Sequence, residues 1–246
     1  MRALLAIVKR EFFAYFFSPL AYVVLTGFLL INGMFFSGLV RALASNPEFG
    51  REAFIQLLFT GVFFWIYMMV VCSVIAMRLI AEERKSGSIE TLLTAPVDEA
   101  TVVVGKFLGA WAFLLFLWVP TLAYPLILSR FGRVEWGAVA GGYLGVALLG
   151  GLFISAGTFA SALTKNQIVA AMLGFVFIII CFMPALFREF YTDTRVRETL
   201  AYVSLVDHME DFARGIVDSR RVVYNVTAVI FFLFLGTKAL EANKGK

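Results

Sequence analysis

Apolar positions along this chain fall into six long blocks separated by short polar stretches. The blocks are Leu20–Val40, Phe54–Met77, Phe107–Leu128, Ala138–Leu163, Ile168–Phe187 and Val222–Leu240, and of the 38 Lys, Arg, Asp and Glu residues only Lys238 lies inside one. An uncharged apolar run of about 18 residues or more predicts a membrane-spanning helix, because a helix satisfies its own backbone where lipid cannot. The pattern therefore predicts an all-α membrane protein with six transmembrane helices in a single domain over residues 1–246. An outer-membrane barrel is excluded, since its segments would be about 10 residues of alternating polarity. The longest stretches left over, Arg78–Lys106 and Arg188–Arg221, are shorter than a soluble catalytic domain of about 100–150 residues.

Composition agrees: 61% of residues are hydrophobic, 15% are charged, and the mean hydropathy is +0.88. Residues 1–17 are apolar but interrupted by Arg2, Lys9, Arg10 and Glu11. Helical spacing sets a basic stripe of Arg2, Lys9 and Arg10 opposite Leu4, Ile7, Val8 and Tyr15, which predicts an amphipathic interfacial helix ended by Pro19. Three basic residues precede the first span, whereas Arg41 and Arg51 follow it. The positive-inside rule then places both termini in the cytoplasm. Ala42-Leu43-Ala44 resembles a signal cleavage site, but the apolar run before it is longer than a signal core of about 7–15 residues. The first block is read as an uncleaved span.

Within the spans, Asn32, Ser37, Gln56 and Ser73 are expected to hydrogen-bond between helices, and Pro120 or Pro125 to kink the third. Gly137, Gly141 and Gly145, at four-residue spacing, form an expected helix-packing face. Cys72 and Cys181 read as small packing residues, and the single histidine, His208, as an ordinary surface residue; no metal site is expected. No ionisable side chain stands mid-span, which disfavours an ion-coupled carrier. The net charge of +4 suits anionic lipid and gives no case for nucleic acid.

The most informative stretch, residues 81–97, begins with Glu82, Glu83, Arg84 and Lys85, and Gly87 can end the second helix. Ser88 is placed to cap a short helix over 89–95, with Ile89, Leu92 and Leu93 on one face; Pro96 stops it and Asp98 can cap the next. Two turns are too short to be stable in water, so this helix is expected to dock onto a partner. Through the charged cluster, Gly87, Glu90, Leu92, Leu93, Pro96 and the following Gly105-Lys106, the chain resembles the ABC-2 family of permeases, the membrane subunits of ATP-binding-cassette transporters.

The resemblance implies the ABC-2 permease fold, with Glu82, Glu83, Arg84, Gly87, Ile89, Glu90, Leu92, Leu93 and Pro96 coupling to a separate ATPase that holds ATP and magnesium. It also implies a second permease chain, identical or distinct. No G-x-x-x-x-G-K-[ST] phosphate loop occurs, and no enzyme activity or cofactor is expected on this chain itself. Residues 211–218, with Phe212, Arg214, Gly215 and Asp218, followed by Val222-Val223-Tyr224, look like the gliding-motility-associated branch. The segment 188–221 is expected outside the cytoplasm as one imperfect amphipathic helix, with Leu200, Val203, Val206 or Asp207, and Phe212 to Ala213 on its apolar face and Gly215 as its C-cap. Its near-balanced charge favours a solvated face or a docking surface for another protein. The alternative to transport is a membrane anchor that relays ATP-driven motion to such a partner.

Overall fold

A computed structural model describes residues 2–45, 51–87, 98–188 and 190–242. Every regular element among them is helical. Six helices are long and apolar enough to cross a membrane, Ala21–Ser45, Phe54–Ser86, Glu99–Phe131, Trp136–Leu163, Gln167–Arg188 and Ser219–Ala242, in agreement with the six predicted blocks. The second and third spans extend past their apolar windows into charged turns, where Arg78 pairs with Glu82 and Lys106 with Glu83.

The fourth span is the hub. Its apolar window is 78% buried, and it touches the second, third, fifth and sixth spans. Glycine makes this possible: a Cβ at Gly142, Gly150 or Gly157 would collide with Phe59, Leu114 or Ala76. Where lipid is as apolar as leucine, such close approach is what favours helix contact over lipid contact. The first, fifth and sixth spans are only 17% buried and turn large apolar side chains such as Leu30, Met172 and Phe231 outward.

Two spans are interrupted. The second changes direction at Gly61, whose backbone is extended (φ −61°, ψ 154°) between helices Arg51–Thr60 and Val62–Ala76. The third is broken by a 3₁₀ segment, Val119–Leu122, around Pro120, which has no N–H to continue an α-helical ladder; Pro125 lies within the helix that follows. The expected interhelical bonds from Asn32, Ser37 and Ser73 are not formed. These side chains donate to Phe28 O, Met34 O and Met69 O of their own helices, 3.0, 2.8 and 2.7 Å away. A short polar side chain reaches its own preceding turn more readily than a neighbouring helix. Bonds that do run between spans include those from Trp111 Nε1 to Ala147 O (2.8 Å) and within the Thr121–Tyr143 hydroxyl pair (2.8 Å).

The N-terminal helix, Arg2–Phe16, lies along the third span with its chain running the same way. Ile7 meets Gly105, Glu11 meets Gly109, and Tyr15 stacks on Phe113 with centroids 4.4 Å apart. The predicted apolar stripe is the face that packs: Ile7 is buried and Leu4, Val8 and Tyr15 are half-buried, while Lys9 and Arg10 are exposed.

At the opposite end, the single helix expected after the fifth span is two, Thr194–Val203 and Leu205–Ala213. Ser204 separates them with extended backbone, and its Oγ caps the second by accepting from Asp207 N (3.3 Å). Gly215 (φ +79°) does end that second helix as predicted, in a Schellman turn where Ile216 N donates to Asp211 O at 2.9 Å. The glycine stripe of the fourth span seats this helix. Gly141 lies against the Phe212 carbonyl, Gly145 against Met209, and Gly215 against the Gly137 backbone.

The stripe is therefore not uniform. A Cβ at Gly141 runs into a backbone oxygen, whereas one at Gly137 meets nothing within 4 Å. Gly141→Ala is expected to destabilise by about 1–3 kcal/mol, and Gly137→Ala to be neutral or stabilising by about 0.5–1 kcal/mol. Thermal unfolding in detergent measures both; equal effects would mean that the helix does not seat on the stripe.

Candidate functional site: the buried charge cluster at the loop stems

Residues 88–97 join the second span to the third and lie outside the described residues, so Ile89, Glu90, Leu92, Leu93 and Pro96 receive no structural description. The two stems that hold this segment are described. The second span ends in the helical turn Ala81–Ser86, closed by Gly87 at φ +74°, a left-handed conformation that glycine adopts without strain. The third begins after Asp98, which starts the helix through its extended backbone, with no side-chain cap; Val102 N donates to its carbonyl at 3.2 Å.

Lys106, two turns into the third span, is 1% exposed. Its Nζ lies 3.0 Å from Glu11 Oε1 and 2.8 Å from Glu83 Oε1. Arg10 Nη2 approaches the same two oxygens at 2.7 and 2.9 Å. Two carboxylates and two cations thus alternate, and each carboxylate bridges both cations. Glu11 and Arg10 belong to the N-terminal helix, Glu83 to one stem and Lys106 to the other, so one cluster joins three separate stretches of chain. A lysine this deep is tolerable only with such partners. Beside the cluster a cleft of about 380 Å³ opens between the N-terminal helix and the end of the second span.

The first stem is held from other sides too. Arg78 forks onto Glu82 (Nε–Oε2 2.7 Å, Nη2–Oε1 3.1 Å) and donates to Ser18 Oγ at 2.5 Å. Tyr15 Oη donates to Ile75 O at 2.9 Å. Where the span turns at Met77–Ile80, Ser161 of the fourth span accepts from Ile80 N (3.0 Å) and Ala81 N (2.9 Å) and donates to Met77 O (3.1 Å). Arg84 donates to Ala162 O of the same span. Glu82, Glu83 and Arg84 are therefore engaged inside this molecule. Sequence reasoning missed Ser161 and the partners of Lys106, since nothing local in 155–165 or 1–17 announces a contact with residue 80 or 106.

At the far end, His208 corrects the surface assignment: it is 1% exposed. Nε2–H donates to Tyr202 O (2.9 Å), which leaves Nδ1 to accept from Asn225 Nδ2 (3.2 Å). Burial lowers its pKa, joined by the nearby Arg221 and opposed by the Tyr202 carbonyl, Asp207 and Asp211. Asp207 pairs with Arg188 and Asp211 with Arg221, so part of the near-balanced charge of this segment is spent on holding the helix. Phe212 is fully buried, Arg214 is exposed beside Glu210, and Asp218 caps the sixth span, its Oδ1 accepting from Arg220 N at 2.8 Å. Cys72 and Cys181 are free thiols. Among the described residues no group of His, Cys, Asp or Glu is arranged to hold a metal ion.

Six spans, a helix laid along the third, and a charge cluster gripping both stems of one connecting segment define a multi-pass membrane protein. The chain belongs to the ABC-2 transporter family: residues 42–204, about two thirds of its length, match the family described as ABC-2 family transporter protein. No curated protein matches it. As a member of that family it is a permease, and the family match spans the second to fifth spans together with the 88–97 segment.

Removing Lys106 leaves two half-buried carboxylates sharing one exposed arginine. Lys106→Met is expected to destabilise by about 3 kcal/mol. Lys238→Met, which breaks the exposed Lys238–Glu241 pair (2.7 Å), is expected to do so by less than about 1 kcal/mol. Equal losses on thermal unfolding would show that burial gives the cluster no special weight.

Proposed function

We propose that this chain is the membrane-spanning permease subunit of an ATP-binding-cassette transporter whose ATP hydrolysis takes place on separate chains. An ATPase docks on residues 88–97, with Leu92 and Leu93 seated in its surface, and a second permease chain completes the pore. Its docking face would come from the lightly buried first, fifth and sixth spans. Both termini and the 88–97 segment lie in the cytoplasm, and the membrane is the inner membrane of a prokaryote.

The observation that supports this most is the cluster of Glu11, Glu83, Lys106 and Arg10. It clamps both stems of the segment to each other and to the N-terminal helix. A push on the segment therefore moves the ends of two spans and a third helix as a block, whereas a simple turn between spans would dissipate it.

A second use of the same motion is favoured by one observation. The helix Thr194–Val203 buries none of its residues and presents Arg195, Arg197 and Glu198 to solvent, a surface available to an extracytoplasmic protein. Together with the resemblance of residues 211–218 to the gliding-motility-associated branch, this supports mechanical work on such a partner in place of solute transport.

The tagged chain purified from its native membranes is expected to bring down an ATPase bearing a phosphate-binding loop. Leu92→Asp is expected to reduce the recovered ATPase at least about tenfold, as loss of a buried apolar anchor does. Undiminished recovery would refute docking at this segment, and a co-purified extracytoplasmic protein would select the second role.

A further inference from the structure

The half of the bundle away from the charge cluster holds a concentration of aromatic rings centred on Trp118. Its ring lies 5.5 Å from Tyr67, 5.6 Å from Phe28, 5.8 Å from Phe64 and 6.1 Å from both Phe59 and Tyr143. Tyr67 is 6% exposed and Trp118 is 2% exposed. Neither Tyr67 Oη nor Trp118 Nε1 has a hydrogen-bond partner. The neighbouring Thr121 and Tyr143 hydroxyls, by contrast, satisfy each other at 2.8 Å.

An idle buried donor is a sustained cost, and native proteins contain few of them. Phenylalanine in place of Tyr67 would fill almost the same space without that cost. Two idle donors on touching rings mark a place where a partner is received. The backbone agrees. Phe59 and Phe64 flank the break at Gly61, and the 3₁₀ break Val119–Leu122 follows Trp118 directly. In many secondary transporters interrupted helices form the substrate site, and irregular backbone inside the bilayer is tolerated only where it is buried in protein or lines a cavity.

We propose that this ring cluster is a substrate site, and that its substrate is an uncharged, ring-bearing molecule carrying a carbonyl or ether oxygen. Each part of that class follows from the residues. The indole N–H only donates, so the substrate supplies an acceptor. The rings offer stacked and edge-on contacts to another ring. No charged side chain belongs to the cluster, so a charged substrate would be left without a counter-ion in a low-dielectric setting. Admission separates the rings, and the spans bend at Gly61 and Pro120 to allow it.

Its role in transport rests on the permease reading, but binding needs no ATPase and is tested on this chain alone. Benzophenone, an uncharged two-ring ketone that attaches to adjacent C–H groups on irradiation, serves as probe with the protein in phosphatidylcholine nanodiscs. Adducts mapped by mass spectrometry are expected at residues 59–68 and 118–143, with Met68 beside Tyr67 prominent. Tyr67→Phe keeps the ring and the fold and is expected to lower capture there about fivefold, the worth of one hydrogen bond. Trp118→Phe is expected to lower it in the same way, with labelling of lipid-facing Met34 and Met172 unchanged. Capture that ignores Tyr67→Phe, or falls only on lipid-facing residues, overturns the site and leaves the permease assignment standing. Failure to recover an ATPase would overturn that assignment and leave this capture untouched.

Discussion

An ammonium group cannot be buried in an apolar bundle without counter-charges, and Lys106 is buried. That constraint organises one whole end of the molecule. Lys106 recruits a carboxylate from the N-terminal helix and another from the second span, and Arg10 shares both. Each of the three stretches of chain has other reasons to be where it is: Ile7 and Tyr15 pack on the third span, and Ser161 holds the turn of the second. Tyr15 touches both spans as well, through Ile75 O and Phe113, and the charge cluster joins all three stretches by charge. Ion pairs of this kind contribute little net stability compared with apolar packing, but they fix one arrangement over its neighbours, because a slip of one helical turn would leave unpaired charges in the bundle.

The two ends of the bundle are built on different principles. The stem end uses charge, whereas the opposite end uses backbone proximity, with Gly141 and Gly145 letting the helix Leu205–Ala213 lie directly on the fourth span. Between them the fourth span is the axis, touching the second, third, fifth and sixth spans and the helix Leu205–Ala213. The second and third spans, which carry the stems, are also the two that are interrupted, at Gly61 and Val119–Leu122. Motion entering at the stems passes the Met77–Ile80 turn, which Ser161 pins to the fourth span, and then meets the two breaks beside the ring cluster around Trp118. That places the proposed coupling surface and the proposed substrate site on the same two spans, at opposite ends of two short helical segments.

Much of this was legible in the sequence. Six uncharged blocks announced six spans, since charge is excluded from lipid with little tolerance. The stripe of Leu4, Ile7, Val8 and Tyr15 announced the packing face of the N-terminal helix, and Gly87 and Gly215 announced two helix ends. What failed were statements about long-range contact. His208 stands in a polar segment, and nothing local reveals that Tyr202 and Asn225 enclose it. Asn32 was assigned a neighbour but bonds its own helix. Nor does anything local show which cations the acidic pair meets within the chain: Glu82 pairs with Arg78, 4 residues away, and Glu83 with Arg10, 73 away. The breaks at Gly61 and Pro120 left a mark in the sequence, but a glycine or proline inside an apolar run shows where a helix can bend and not what gathers around the bend.

The central claim is that the N-terminal helix and both stems move as one block. Pulsed electron spin resonance tests it most directly, with spin labels at exposed Lys9, Lys85 and Arg214 in a chain whose Cys72 and Cys181 have been replaced, assembled with its ATPase. Trapping with ATP and vanadate is expected to leave the Lys9–Lys85 distance unchanged while the Lys85–Arg214 distance shifts. A Lys9–Lys85 distance that changes as much as the long one would contradict the account, since the charge cluster would then be a contact that breaks during the cycle rather than the joint that transmits it.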